Sequence, residues 1–291
     1  MERHFMDMRC GGHGHDHGVT AGTDLTGGGT SGTVTLNLNT ANVPLLAASN
    51  TFTGNQTVNG NLSATGVVTG SSYQIGSNLF AFGSYANGNA FLGFSGNPAA
   101  TGGYNTGIGY VALQQLTTGG ENTAVGFAAL QDSGNASFNT AIGYGVLQSN
   151  SGSFNTASGV QAMYSNTTGY QNTATGAAAL YANTTGYYNT ATGLDSLRYN
   201  TTGNSNTAHG YAALYSNTTG NGSTAVGAYA LLNSNPGSAG SNDAFGYQAL
   251  YSNTSGSLNA AFGYQALYSN AIGFDNTASG SSALFSNTTG Y

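Results

Sequence analysis

Along residues 105–291 apolar and polar positions recur as a block. The block can be anchored on an Asn, usually followed by Thr, at Asn105, Asn122, Asn139, Asn155, Asn172, Asn189, Asn206, Asn242, Asn259 and Asn276, with Ser223 holding the eighth place. The spacing is 17 residues in eight of the ten intervals, once 16 (to Asn155) and once 19 (to Asn242). Counting from the anchor, +2 is Ala in ten units and Gly107 in the first, +4 is always Gly, and +8 is Leu except for Met163. A 17-residue unit cannot bury so few apolar groups alone, but stacked units share one continuous core. The pattern therefore predicts a mainly-β, parallel β-solenoid of about eleven coils over 105–291, with Ala and Leu inside. "NTAIG" and "NTAVG" predict one short strand per coil. The "YQALYSN" half admits a helical turn or a second short strand, and the helical turn is preferred. The fixed Gly either needs positive φ or lets a neighbouring backbone approach closely. Both length exceptions are expected in outward loops, the longer one near Asn235-Pro236-Gly237.

Charge changes the picture next. Charged residues make up 4% of the chain, Lys is absent, and the basic residues are Arg3, Arg9 and Arg198. In a parallel stack, equivalent residues lie about 4.8 Å apart. Like charges at that distance repel by roughly 1 kcal/mol even in water-like dielectric. Asn, Thr and Tyr can instead form ladders of hydrogen bonds and rings. Glu121, Asp132, Asp195, Asp243 and Asp275 never share a column in adjacent coils, and Asp195 has Arg198 three residues on as a partner. With so little basic charge, nucleic-acid binding through phosphate neutralisation is excluded.

Before the repeat the pattern differs. Residues 1–18 are expected to be a flexible His-rich segment. Residues 19–72 hold alternating, strand-like runs such as "TVTLNLN" between Gly and Asn turns. From 50 to 70 the apolar residues are only Phe52, Val58, Leu62, Val67 and Val68, apart from one Ala, too few for a monomeric domain. Two readings stand: a disordered stretch, or a β-rich stem in which several chains share one core. Residues 73–104 carry two aromatic-rich runs around Asn87-Gly88-Asn89, which predict a hairpin capping the first coil. At the other end the chain stops mid-unit at Tyr291, so it is expected to be a fragment or to be continued by another chain. No apolar run approaches the roughly 18 residues of a membrane span. "MERHFMDMRCGG" lacks the apolar core of a signal peptide, so export would use another route or a missing segment. The single Cys10 rules out an internal disulfide framework.

On "NTAIGYGVL", "NTAVGFAAL" and "AAFGYQALYSN", residues 105–291 resemble bacteriophage tail-fibre proteins and the heads of trimeric autotransporter adhesins. "LTGGGTSGTVTLNLN" and "NTFTGNQTVNGNLSATG" are similar to segments that precede such repeats in fibre-like proteins. The resemblance implies a homotrimeric, elongated protein, extracellular, at the cell surface or on a virion, that serves attachment. Its partners would be copies of itself and a cell-surface glycan or protein receptor. It brings no catalytic residues, and autotransporter heads have a shorter repeat unit.

Three sets of side chains are candidate sites. His13, His15 and His17 in "HGHDH" share one face of a strand and could bind a transition metal. Two His from each of three chains would complete an octahedral site of the kind found in some phage fibres; the plainer reading is a flexible tail with adventitious metal affinity. No cofactor is required. Nine residues after the anchor run Tyr164, Tyr181, Tyr215, Tyr251, Tyr268 and Phe285. This column could bind sugars through rings and hydroxyls, or its rings could stack on one another. Asn-x-Ser/Thr matches, among them Asn135, Asn166, Asn183, Asn200, Asn217, Asn253 and Asn287, have the form of glycosylation acceptors but mostly repeat the "NTTG" turn. His209 reads as a tolerated variant of its column. No nucleotide loop or Cys-based metal site is present, so the chain is expected to be non-enzymatic. The leading expectation is an attachment fibre. The alternatives are a solenoid whose aligned Thr column binds an ordered lattice such as ice, and a self-assembling matrix filament.

Overall fold

The computed structural model describes residues 72–84, 86–235 and 240–291, together with the backbone of three strands, β1 (Val19–Thr20), β2 (Leu25–Gly29) and β3 (Leu36–Leu38). The chain divides into two units, Met1–Val68 and Thr69–Tyr291. In the first, β1 pairs antiparallel with β2, and β2 with β3. Most of the expected stem, residues 236–239 of the long loop, and His13, His15 and His17 lie outside the described residues.

The second unit is a parallel β-solenoid carrying one 14-stranded sheet. It opens with β4 (Ser72–Ile75), β5 (Asn78–Ser84) and β6 (Asn89–Leu92), joined antiparallel. β6 then pairs in parallel with β7 (Thr106–Ile108), the first of eleven three-residue strands, one per coil, ending at β17 (Thr277–Ser279). Register holds through both irregular intervals: Thr140 pairs with Thr156, and Thr224 with Asp243. No helix occurs among the described residues.

The preferred helical turn in the "YQALYSN" half is thus corrected. A helix needs consecutive right-handed residues, whereas +6 and +8 are left-handed in every coil. The +8 residue is the invariant Leu or Met, at φ from 49° to 53°. Alternating hands aim successive N–H groups at neighbouring coils. Ala178 N–H donates to the Val160 carbonyl of the coil before (2.9 Å), and Leu180 N–H donates to the Ser196 carbonyl of the coil after (3.0 Å). Left-handed backbone costs an L-residue about 1–2 kcal/mol. Burying a Leu side chain contributes about 1.5–3 kcal/mol, and from Leu113 to Leu267 every +8 side chain is fully buried. Burial wins, assisted by the hydrogen bond.

Alongside Ala and Leu, the interior holds two columns of Asn. At the anchor, Asn189 donates from its N–H and from Nδ2 to Oδ1 of Asn172 (2.9 and 3.2 Å), while its Nδ2 also donates to the Gly203 carbonyl (2.8 Å). Each such amide uses both donors and fills its acceptor. The pattern runs from Asn105 to Asn206, is interrupted at Ser223, and resumes at Asn242. A second column stands at +11, where Nδ2 of Asn183, Asn200 and Asn217 each donates to Oδ1 of the Asn one coil earlier (2.6, 2.8 and 2.9 Å). Ser133 and Ser234 occupy this column, and their buried hydroxyls have no hydrogen-bond partner. A serine is too short to reach the Asn rungs beside it, and the rung before Ser133 is Leu116, which offers no polar group.

The +4 glycines meet both of their expected needs. Their φ runs from 114° to 143°, and a Cβ on Gly193 would lie 2.7 Å from the Gly210 carbonyl oxygen. At Gly280 φ is 126°, but the nearest atom to such a Cβ is 4.0 Å away. Gly193→Ala should therefore destabilise by more than Gly280→Ala, because overpacking (about 1–3 kcal/mol) adds to backbone strain. Denaturant midpoints of the two variants measure the difference, and equal losses would show that φ alone selects glycine. Ser234→Asn should raise the thermal midpoint, with a gain near 1 kcal/mol from completing the rung.

Candidate binding surface

Among the described residues, no group of three or more His, Cys, Asp or Glu is placed to hold a metal ion. Two grooves flank the antiparallel strands, of about 570 Å³ between β5 and the first coil and about 880 Å³ over Phe82, Leu92 and Ile108. Neither is lined by a carboxylate, histidine or cysteine. What the solenoid offers instead is columns.

The tyrosines of the +9 column are half-buried, and Phe285 in the last coil is exposed. Tyr164 stacks on Tyr181 (5.4 Å between centroids, planes 6° apart), and Tyr251, Tyr268 and Phe285 form a continuous stack at 5.1 and 4.9 Å. Tyr215 instead meets Tyr199 edge-on at 5.0 Å. Within these stacks the ring faces are turned to one another, leaving edges and hydroxyls for solvent. Earlier coils continue the column with amides: Gln148 Nε2 donates to Gln131 Oε1 at 3.1 Å. Between Tyr181 and Tyr215 the rung is Arg198. Its guanidinium lies 5.3 Å from the Tyr181 ring and is paired with Asp195. That hydrogen bond is the largest cause raising the Arg198 pKa, against the lowering effect of burial. A cation thus enters the ladder with its own counter-ion and two rings (Tyr181 and Tyr199) beside it.

Two further ring columns, not singled out in the sequence, are more exposed. At +5 stand Tyr110, Phe127 and Tyr144, and again Tyr247 and Tyr264; just before the anchor stand Phe138, Phe154 and Tyr188. Ring planes one coil apart are 3° apart for Phe138–Phe154, 8° for Phe127–Tyr144 and 25° for Tyr110–Phe127. Their signal in the sequence was position: +5 follows the fixed Gly, at the corner where the chain leaves the strand.

The strand face itself presents +1 and +3. From Thr106 to Thr224 the +1 residue is Thr in eight successive strands. His209 sits exposed at +3, between Thr192 and Val226. The glycosylation-like matches divide by burial. Asn166, Asn183, Asn200, Asn217 and Asn253 are 0–1% exposed and belong to the +11 column. Their Nδ2 atoms are engaged inside the coil, whereas Asn135 is exposed.

Compared with protein-family models, curated proteins and solved structures, the chain matches none.

Several phenols are held neutral beyond the ordinary tyrosine range. Partial desolvation raises Tyr170 and Tyr229, with neighbouring Tyr188 and Tyr211 adding to it, and a hydrogen bond with Tyr199 raises Tyr215. A folded pKa above the unfolded value gives stability that is complete below the unfolded pKa and lost as pH rises through the folded one. The thermal midpoint should therefore owe nothing to these groups' titration up to about pH 10 and fall above it. Circular dichroism melts read alongside phenolate absorbance would check this, and a midpoint rising above that pH would contradict it.

Proposed function

We propose that this chain is a non-enzymatic attachment protein, a fibre or adhesin head that displays repeated ring and hydroxyl columns to a cell-surface glycan or protein receptor. The observation that carries the reading is the pairing of a parallel, in-register stack with a surface of uncharged, periodic aromatic columns. Each ring edge with its hydroxyl is a weak contact for a sugar. Repetition along a stack multiplies weak contacts through effective concentration. Homotrimer formation through residues before the solenoid, and a place at the cell surface or on a virion, belong to the same proposal and draw on the resemblance of the repeat to fibre proteins.

The test has two parts. Light scattering on the full chain over a tenfold concentration range should give a fixed trimer. Glycan-array and whole-cell binding should then show retention that Tyr251→Ala with Tyr268→Ala weakens by about tenfold, or roughly 1.4 kcal/mol. A folded monomer that binds no glycan and no cell would overturn the proposal.

A further inference from the structure

We infer that the outward face of the solenoid strands binds crystalline water, with the threonine rank from Thr106 to Thr224 as its centre. The inference rests on strand-face residues and is independent of the attachment reading, which uses the ring columns.

Four observations point to this partner. The first is regularity: all eight threonines are paired with their neighbours in exact parallel register. Coil spacing of about 4.8 Å and strand rise of about 3.3 Å per residue give a grid of roughly 4.8 by 6.6 Å between the +1 and +3 ranks. The second is flatness. Neighbouring strands in ordinary sheets rotate by about 20–25°, whereas same-column ring planes one coil apart differ by 3–8° from Phe127 to Tyr187, with 25° at Tyr110–Phe127 in the first coil. A flat array can meet a planar solid along its whole length; a twisted one meets it only locally.

The third observation is chemical. The +3 rank beside the threonines reads Ile, Val, Ile, Ser, Thr, Thr, His, Val from Ile108 to Val226. All but Ser158 and His209 carry a γ-methyl on a β-branched carbon, as every threonine of the +1 rank does. Such a face alternates hydroxyls, which hydrogen-bond water, with methyls, which cannot. Water over it is held at the lattice points of the hydroxyls and caged between the methyls. In coils around Thr173–Thr175 and Thr190–Thr192 both ranks are hydroxyl-bearing, and Thr173, Thr175 and Thr190 are exposed with Thr192 half-buried. The fourth is charge. No carboxylate or cationic side chain stands in either rank before Asp243. A neutral face complements a neutral solid, whereas a carbonate or phosphate mineral would call for charged partners. Crystalline polysaccharide is disfavoured as well, because its sugar planes call for aromatic rings, and neither rank of this face holds a Phe or Tyr before Phe245.

The face is large enough to hold. Eight coils at about 4.8 Å give a length near 40 Å, with no interruption before Asp243 replaces Thr and Ala260 follows it.

Ice-affinity partition and thermal hysteresis of the full chain test the inference. The protein should enter growing ice and shape its crystals. Thr173→Tyr combined with Thr190→Tyr, which raises bulk on the strand face without touching the core, should reduce partition by at least about tenfold. Thr185→Tyr combined with Thr202→Tyr, in the exposed "NTTG" turns, should leave it unchanged. Wild-type protein excluded from ice would overturn the inference regardless of how the variants fold. So would strand-face variants that partition like wild type, or retention on crystalline cellulose or chitin but not on ice. Glycan binding measured on the same variants separates the two proposals: its loss through ring substitutions alone leaves this one standing.

Discussion

Every side chain in the solenoid has its counterpart from the adjacent coils about 4.8 Å above and below it. That single constraint selects the residue types. A side chain survives in a column only if it can pair with its own copy. Asn does so completely, because its amide carries donors and an acceptor together; at Asn189 both donors and the neighbouring acceptor are used within 3.2 Å. Aromatic rings do so by stacking, and Ala and Leu by packing. Lys, Asp and Glu cannot, since each repeats its own charge. Asp195 and Arg198 are tolerated because they cancel within one coil.

The same constraint makes the backbone expensive in places. In each coil +4, +6 and +8 sit at positive φ. Only +4 is always glycine, because in every coil followed by another the neighbouring carbonyl would meet a Cβ there. At +8 the core must be filled, so a left-handed Leu is held by burial worth somewhat more than its strain. The margin per coil is small, and no coil is stable alone. Stability comes from interfaces between coils, as in other one-dimensional repeat folds. Polar groups inside such a stack are then assets when satisfied and defects when not. Ser133 and Ser234 show the defect: the column continues through them, but their hydroxyls reach nothing.

How far the sequence carried follows from the same logic. The period, the strand at "NTAIG", the fixed glycine and the buried Ala and Leu columns were all legible, since each is a repeated residue with one physical use. The shape of the "YQALYSN" half was not. Ala, Leu and Gln favour helices locally, and nothing in a Leu announces φ near 50°; cross-coil hydrogen bonding overrode propensity. The burial of the +11 Asn column was also hidden, because "NTTG" reads as a turn wherever it appears. The clue was recurrence of one polar residue, Asn at +11 in eight of eleven coils: a surface turn tolerates Asn, Asp, Ser or Gly, whereas an amide pairs with the rungs on both sides. For the candidate surfaces, the +9 rings were visible as a column, but their depth was not. Exposure depends on where the chain turns its corner, which placed the +5 rings further out.

A stack that forces self-pairing inside also imposes periodicity outside, and this bears on what such a surface can recognise. Stacked rings spend their faces on each other, so a partner meets edges and hydroxyls at regular intervals and no enclosed pocket. Threonines that pair strand to strand leave their hydroxyls and methyls in straight ranks. A compact ligand gains little from such a surface, because any one rung is nearly the same as the next. A partner that is itself extended or repeating gains at every rung, and its binding grows with the number of coils engaged. Eleven coils of near-identical chemistry are therefore better matched to a long or planar partner than to a small molecule, and the length of the stack becomes the variable that sets affinity.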